Sequence, residues 1–266
     1  MSVCAIDRDK IVEPYAKEVQ AKYSQRFHFK LGKFSNIKHI VENFQYKSFD
    51  FIIADLGVST MQLKSTQRGF SFNNDSSLDM GMGLNSKSAE HVVNNYSEQQ
   101  IADILYYYGE ERLSRQIAAA ICKQRLSKPI VSSKQLADIV VGVVARRYKS
   151  KSKVHPATKT MQALRIYIND ELDELVDMLN QSLSMLNSGG QLVIVSFHSL
   201  EDRIVKTFFK EVSQYNSNNH EALRLYKPIN HILCSIITKK AILPSSVEVV
   251  VNPASSSAKM RILQRI

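Results

Sequence analysis

The sequence predicts an α/β fold that is interrupted by a domain-sized helical insertion. Near the N-terminus, apolar runs typical of buried strands alternate with a helical pattern, and this alternation returns after residue 160. Residues 64–159 instead begin with a polar stretch that contains glycines and continue with helix-start signals. We therefore expect one α/β domain made of residues 1–63 and 160–266, and a helical domain made of residues 64–159.

Three strands are predicted before the insertion. Residues 1–6 are a short apolar run that ends at Asp7, Phe27–Leu31 alternates apolar and polar side chains, and residues 49–54 are an apolar run interrupted by Asp50. Residues 12–24, between the first two runs, predict a helix. Because continuous apolar strands separated by helices are typical of parallel sheets, these elements predict the start of a buried parallel sheet.

Helix-start signals define the insertion. Ser97 and Gln100 have the spacing of a capping box, and Ser132 and Gln135 repeat it, each ahead of apolar side chains at helical spacing. A further helix is predicted over residues 110–125. The insertion is therefore expected to be helical and large enough to form a domain.

The α/β pattern resumes with a long amphipathic helix, which the spacing of apolar side chains predicts over residues 160–186. A strand is predicted over residues 191–197 and a helix over residues 201–213. Two last strands are predicted over residues 231–237 and 258–266. These elements continue the α/β domain that begins before the insertion.

The chain is strongly basic, with 35 Lys and Arg against 25 Asp and Glu, a net charge of +10 and a pI of about 9.4. This balance favours a polyanionic partner such as RNA, although a basic protein without one fits the charge equally well. The clearest basic stretch surrounds Tyr148 and contains no acid. We expect either RNA contacts or a solvated loop at its basic residues, which are Arg146, Arg147, Lys149, Lys151, Lys153 and Lys159.

The three cysteines, Cys4, Cys122 and Cys234, are far apart and form no CxxC pair. This spacing argues against a disulfide framework and against a zinc site, and it fits a reducing cytoplasm. No apolar run approaches the roughly 20 residues that span a bilayer, and no secretory signal is visible. We therefore expect a cytoplasmic protein with no metal and no membrane partner.

Two aspartates close predicted strands, where the ligands of open α/β sheets bind. Asp7 follows the first strand, at the position where an acid typically holds ribose hydroxyls, and Asp55 follows the strand at residues 49–54. Taken alone, Asp7 fits a solvated strand end better, and an isolated Asp-Leu-Gly is weak evidence. No glycine precedes Gly32, so we expect the first strand and the glycine-rich loop of a nucleotide-binding unit to be absent.

Longer motifs resemble those of the bacterial 16S ribosomal RNA cytosine-N4 methyltransferases, which act at the decoding centre. Each motif alone is weakly informative, but their order and spacing are very specific, and the resemblance runs from about Ile6 to the end of the chain. The motifs are DLGVSTMQL (residues 55–63), RGFSF (68–72), LDM (78–80), YGEER (108–112), HPATKT (155–160), QALRI (162–166), SFHSLEDR (196–203), ITKK (237–240) and SAKMR (257–261).

The resemblance implies a class I methyltransferase fold, with a Rossmann-like sheet that lacks its first strand here and an inserted helical domain for the substrate. It implies S-adenosyl-L-methionine as the cofactor. It also implies 16S rRNA as the partner, within the assembled small ribosomal subunit, and leaves self-association into a homodimer open.

The resemblance also assigns site residues. The family's cofactor contacts fall on Asp7, Phe34, Asp55 and Gln62. Asp7 would bind the ribose hydroxyls, and Phe34 would contact the adenine face, although the residues alone favour a core phenylalanine. Asp55 and Gln62 would face the methionine end and the transfer site. Asp55 is the candidate catalytic residue, since a hydrogen-bond acceptor such as its carboxylate, or alternatively a backbone carbonyl, would assist the exocyclic amine of cytosine.

The sequence also departs from the family pattern. The family's glycine-rich loop with Gly-Gly-His has no counterpart, its DGPLDMRMD reads DSSLDMGMG at residues 75–83, and its NPRSRS reads NPASSS at residues 252–257. The leading interpretation is an RNA methyltransferase, and these departures leave open the alternative of a catalytically inactive RNA-binding protein that lacks the cofactor loop. For His155 and His198 we expect structural or RNA-contact roles, because methyl transfer from a sulfonium depends on positioning and electrostatics more than on a strong base.

Overall fold

The computed structural model describes the chain over residues 1–44, 46–65, 67–71, 75–84, 87–147, 155–213 and 234–266. These residues form a mixed α/β structure with a central sheet and many helices, consistent with a class I methyltransferase fold. The predicted fold class is therefore confirmed.

The chain divides into two compact units. Residues 1–57 and 172–266 form the first, here called the sheet unit, and residues 58–171 form the second, here called the helical unit. The helical unit extends beyond residues 64–159, the range that the sequence suggests for the insertion, at both ends.

All the strands described lie in the sheet unit, as two groups. Parallel strands β1 and β2 form one group, with Asp7 opposite Leu31. The other has the order β3-β4-β6-β5, in which β3 and β4 are parallel and the remaining pairs antiparallel. The strands are β1 Val3–Asp7, β2 Phe27–Leu31, β3 Phe49–Asp55, β4 Leu186–Ser196, β5 Cys234–Ile236 and β6 Lys259–Arg265.

The predicted capping boxes lie at helix starts. Ser97 and Gln100 exchange two hydrogen bonds, and the Gln135 backbone N–H donates to Ser132 Oγ at 3.3 Å. The helices are α1 Glu13–Lys22, α2 Ile37–Glu42, α3 Thr60–Lys64, α4 Ala89–Asn95, α5 Glu98–Gly109, α6 Ser114–Ser127, α7 Ser133–Arg147, α8 Thr158–Asn169, α9 Glu171–Met185, α10 Ser199–Ser213 and α11 Ser246–Val251. None of the helices in the described part of the chain is long and apolar enough to cross a membrane.

The single long helix predicted over residues 160–186 is wrong, because the structure has two helices there. Asp170 adopts a left-handed backbone conformation (φ 51°) between α8 and α9, and Asp is one of the few residues besides glycine that visit it. The apolar spacing is helical on both sides of Asp170, so the pattern hides the break. The two units also divide next to this residue, after Glu171.

Each unit has its own apolar core. In the sheet unit, Leu179 of α9, Ile194 of β4 and Phe208 of α10 are almost completely buried. One face of β3 differs, since Phe51 and Ile53 are 59% and 69% exposed. In the helical unit the core is formed by fully buried side chains that include Leu105 of α5, Ile117 of α6, Leu136 of α7 and Leu164 of α8.

Candidate active site

The carboxyl ends of β1 and β2 lie side by side and carry the first two candidate residues, Asp7 and Phe34. The Asp7 carbonyl accepts a hydrogen bond from Gly32 N–H at 2.8 Å, which ties the end of β1 to the loop after β2. The half-buried ring of Phe34 packs against the core of the sheet unit and begins the short 3-10 turn Phe34–Asn36. The structure therefore brings Asp7 and the loop carrying Phe34 to the same edge.

The carboxylate of Asp7 is fixed by local backbone. Its Oδ1 accepts the Asp9 N–H at 2.7 Å. Burial raises the pKa of Asp7, while hydrogen bonds from backbone N–H groups oppose that shift. The result is a half-buried, oriented carboxylate with acceptor capacity left for a ligand hydroxyl.

Asp55 ends β3 beside Val195 of β4, and the Leu56 N–H continues the pairing with a 3.0 Å bond to the Val195 carbonyl. Although its side chain reaches solvent, partial desolvation raises the pKa of Asp55, and the negative charge of Glu201 raises it further. Gly57 then turns the chain with φ +91°, a conformation that favours glycine. Asp55 thus stands at the carboxyl end of its strand, where ligands bind in open α/β sheets.

Glu201 organises the loop that follows β4. Its buried carboxylate accepts the Phe197 and His198 N–H groups at 2.9 and 3.2 Å, and its Oε1 lies 3.1 Å from His198 Nε2. His198 Nδ1 accepts the Glu201 N–H at 3.4 Å. Both ring nitrogens of His198 therefore face Glu201, an arrangement suited to holding the loop. No role for Glu201 was predicted from the sequence, although the SFHSLEDR motif contains it.

Gln62 belongs to the helical unit, whereas Asp7, Phe34 and Asp55 belong to the sheet unit. It completes a capping box at the start of α3: its Oε1 accepts the Ser59 N–H at 2.8 Å, and its own N–H donates to Ser59 Oγ at 3.2 Å. Its side-chain oxygen is thus engaged in the cap, and the residue is buried.

Within the helical unit, two motifs that are distant in sequence meet. A Cβ on Gly109 of YGEER would lie 2.7 Å from the carbonyl oxygen of Lys159 of HPATKT, so only glycine allows this approach. Lys159 Nζ also donates to the Glu110 carbonyl at 3.0 Å. Of the other residues in the predicted basic stretch, Arg146 and Arg147 are exposed in the last turn of α7, while Tyr148, Lys149, Lys151 and Lys153 lie outside the described residues.

A buried amide explains the LDM motif. Asn169, at the end of α8, donates from its Nδ2 to the Met80 carbonyl at 2.9 Å and accepts the Met82 N–H at 2.9 Å. Met80 has a positive φ of 60°, and the guanidinium of Arg68 donates to the Gly81 carbonyl. The loop that carries LDM is therefore held by Arg68 of the RGFSF motif and by Asn169, which lies outside the motifs and to which no signal in the sequence pointed.

Comparison with known proteins gives one consistent family. Residues 1–266 match the family model described as the MraW methylase family. Three similar curated proteins are each called "Ribosomal RNA small subunit methyltransferase H". They come from Wolbachia sp. subsp. Drosophila simulans (strain wRi), with 43% identity over 99% of this chain and 85% of the relative; from Rickettsia canadensis (strain McKiel), with 46% over 99% and 84%; and from Ehrlichia chaffeensis (strain ATCC CRL-10679 / Arkansas), with 41% over 99% and 86%.

Proposed function

Because this chain belongs to the MraW methylase family, we propose that it methylates N4 of a decoding-centre cytidine in 16S rRNA, with S-adenosylmethionine as the methyl donor. The observation that carries the proposal is the 41–46% identity, over 99% of the chain, to proteins named as methyltransferases of small-subunit ribosomal RNA. The motif order in the sequence supports the choice of cytosine N4.

The sheet unit offers groups that suit the donor. Bound S-adenosylmethionine supplies an electrophilic methyl group on a sulfonium. The oriented, half-buried carboxylate of Asp7 suits ribose hydroxyls, which donate to carboxylates at this strand position in related folds. The half-buried ring of Phe34, on the adjacent loop, suits the flat adenine face.

Asp55 is the proposed catalytic residue. The exocyclic amine of cytosine is a poor nucleophile because its lone pair is delocalised into the ring. A carboxylate that accepts a hydrogen bond from this amine localises the lone pair as the N4–methyl bond forms and the sulfur–methyl bond breaks. N4 then loses one proton, which Asp55 can accept, and its raised pKa favours that transfer.

The helical unit is the proposed RNA-binding part. The net charge of +10 suits a phosphate-rich partner, and Arg146 and Arg147 are exposed at the end of α7. A cytidine in folded RNA must leave its stack to reach a reacting group on the protein. A separate unit that grips the surrounding RNA would stabilise that splayed state.

The function is tested by mass spectrometry of small-subunit RNA from cells with and without the gene. N4-methylcytidine at the decoding centre should be lost in the deletion and restored by the wild-type gene. Asp55→Asn should lower the transfer rate by about 100-fold or more, the effect typical of removing a proton acceptor or an aimed electrostatic group. Equal methylation with and without the gene would contradict the proposal.

A binding experiment tests the cofactor half of the site and the alternative function. Asp7→Ala should weaken S-adenosylmethionine binding by roughly 1–3 kcal/mol, the loss expected when ligand hydroxyls lose their acceptor. An unchanged dissociation constant would remove Asp7 from the site. If the wild-type chain binds small-subunit RNA but neither binds the cofactor nor transfers methyl groups, the chain is instead an inactive RNA-binding protein.

A further inference from the structure

The loop that carries Phe34 lacks local caps. Lys33 makes no side-chain cap at the start of the turn Phe34–Asn36, and Asn36 makes none at the start of α2. The first N–H groups of such elements have no partner within the element and need one elsewhere. In this loop, both caps come from α9, which is distant in sequence.

Two side chains of α9 supply these caps. Ser35 N–H donates to Glu174 Oε2 at 3.3 Å, and Lys38 N–H donates to Gln181 Oε1 at 3.2 Å. Gln181 Nε2 also donates to the Ser35 carbonyl, so Gln181 bonds both the turn and the start of α2. Glu174 and Gln181 lie about two helical turns apart on one face of α9.

Glu174 is also a buried carboxylate whose contacts are with the Phe34 loop. Its side chain is 4% exposed, and its Oε1 lies 2.8 Å from Lys33 Nζ. Burying a carboxylate is costly unless it is paired and hydrogen-bonded, and the partners of Glu174 are Lys33 and Ser35, the residues on either side of Phe34. The charge is therefore used to fix the loop that presents the Phe34 ring.

We propose that Glu174 and Gln181 are positioning residues for the adenosine part of the cofactor, acting through the Phe34 loop. This inference rests on the proposed function, in which Phe34 contacts adenine. A loop that is ordered before the ligand arrives loses less conformational freedom on binding, so the clamp raises affinity without touching the cofactor.

The test uses the full chain and four single variants. Glu174→Ala removes the ion pair and the Ser35 bond, Gln181→Ala removes the Lys38 bond, and Glu174→Gln keeps an acceptor oxygen with nearly the same volume. The matched control is Asp173→Ala, which removes an exposed carboxylate from the adjacent position of the same helix. Binding of adenosine and of S-adenosylmethionine is measured by calorimetry, and backbone amide exchange is measured by NMR without ligand.

We expect faster exchange of the Ser35 amide in Glu174→Ala and of the Lys38 amide in Gln181→Ala. Adenosine affinity should fall roughly tenfold in Glu174→Ala and less in Gln181→Ala and in Glu174→Gln, which can keep the Ser35 bond but loses the ion pair with Lys33. It should change by less than about threefold in Asp173→Ala. Gln181→Ala removes a partly exposed side chain, so it keeps the test valid if Glu174→Ala does not fold.

Two results would overturn the inference. In the first, the wild-type chain binds adenosine and S-adenosylmethionine, and Glu174→Ala and Gln181→Ala bind them with the same affinity. This would show that Glu174 and Gln181 do not position the cofactor, even if amide exchange changes. A wild-type chain that binds neither adenosine nor S-adenosylmethionine would overturn the proposed cofactor site itself, and the inference with it. The wild-type titration therefore separates the two failures.

Discussion

The two units use their buried polar side chains differently. In the helical unit, Asn169 satisfies backbone groups of the loop around Met80 and Met82, so its polar atoms hold the core together. In the sheet unit, the half-buried Asp7 ends β1 and the buried Glu201 lies in the first turn of α10, and each orients a chain segment that follows a strand. We therefore expect that substituting such side chains lowers stability in the helical unit and lowers activity in the sheet unit.

The largest expected effect is in the helical unit. Asn169→Ala should lower the free energy of unfolding by about 2–5 kcal/mol, because it leaves the buried Met80 carbonyl and Met82 N–H without their partner. Thermal and urea unfolding would measure it. Cofactor affinity measured well below the melting temperature should be unchanged. If the variant kept its stability but lost cofactor affinity, Asn169 would serve the site and not the core, contrary to this expectation.

Asp202 is an exception to this difference between the units, because it is a polar group of the sheet unit with a structural role. Its Oδ1 accepts from Arg261 Nε at 2.7 Å and its Oδ2 lies 3.5 Å from Lys259 Nζ, which joins α10 to β6. Burial raises the pKa of Asp202, but the hydrogen bond and charge of Arg261, followed by Lys259, outweigh it and hold the pKa below its usual value.

The sign of the pH effect follows from that lowered pKa. The paired carboxylate stabilises the fold above the pKa of an unfolded aspartate, about 3.9, and this contribution is lost as pH falls through the lower folded pKa. Asp202→Asn should therefore cost about 1–2 kcal/mol at pH 7 and progressively less below pH 4. Urea unfolding of both proteins across this range checks it, and a difference that stays constant to pH 3 would contradict the assignment.

The smallest expected effect is that of substituting Gly142 in the helical unit, and Gly109 of the same unit provides the contrast. Gly142 lies inside α7, and a Cβ added there would meet nothing within 4 Å, so Gly142→Ala should raise stability by about 0.5–1 kcal/mol. Gly109→Ala is the contrasting variant, because its Cβ would lie 2.7 Å from the Lys159 carbonyl oxygen. It should destabilise by about 1–3 kcal/mol. Equal effects of the two substitutions, measured by thermal unfolding, would show that α5 does not need this close approach.

Local patterns predicted much of the fold. The boundaries of β2 match residue for residue, and the box at Ser97 and Gln100 forms as expected, because strand alternation and helix capping depend on residues that are close in sequence. The sequence did not predict the break at Asp170, because the apolar spacing continues through it. The helix ends there through the left-handed backbone conformation of Asp170, which leaves no mark on the apolar pattern.

The candidate site divides in the same way. Asp7 and Asp55 could be placed at strand ends from the sequence, since an apolar run followed by an acid is a local signal. Glu201 and Glu174 could not, because a carboxylate on an amphipathic helix is usually a solvated one, and only the fold shows that these two are buried.

The sequence by itself determined the fold class, the family resemblance and the strand-end acids, because periodicity, caps and motifs depend on residues that are close together in the chain. The tertiary structure decided which polar groups act on which segments. Glu174 accepts a hydrogen bond from Ser35, 139 positions away in the chain, and Asn169 donates one to Met80, 89 positions away. Such pairings depend on where folding brings distant backbone N–H and carbonyl groups, which must be satisfied once they are buried.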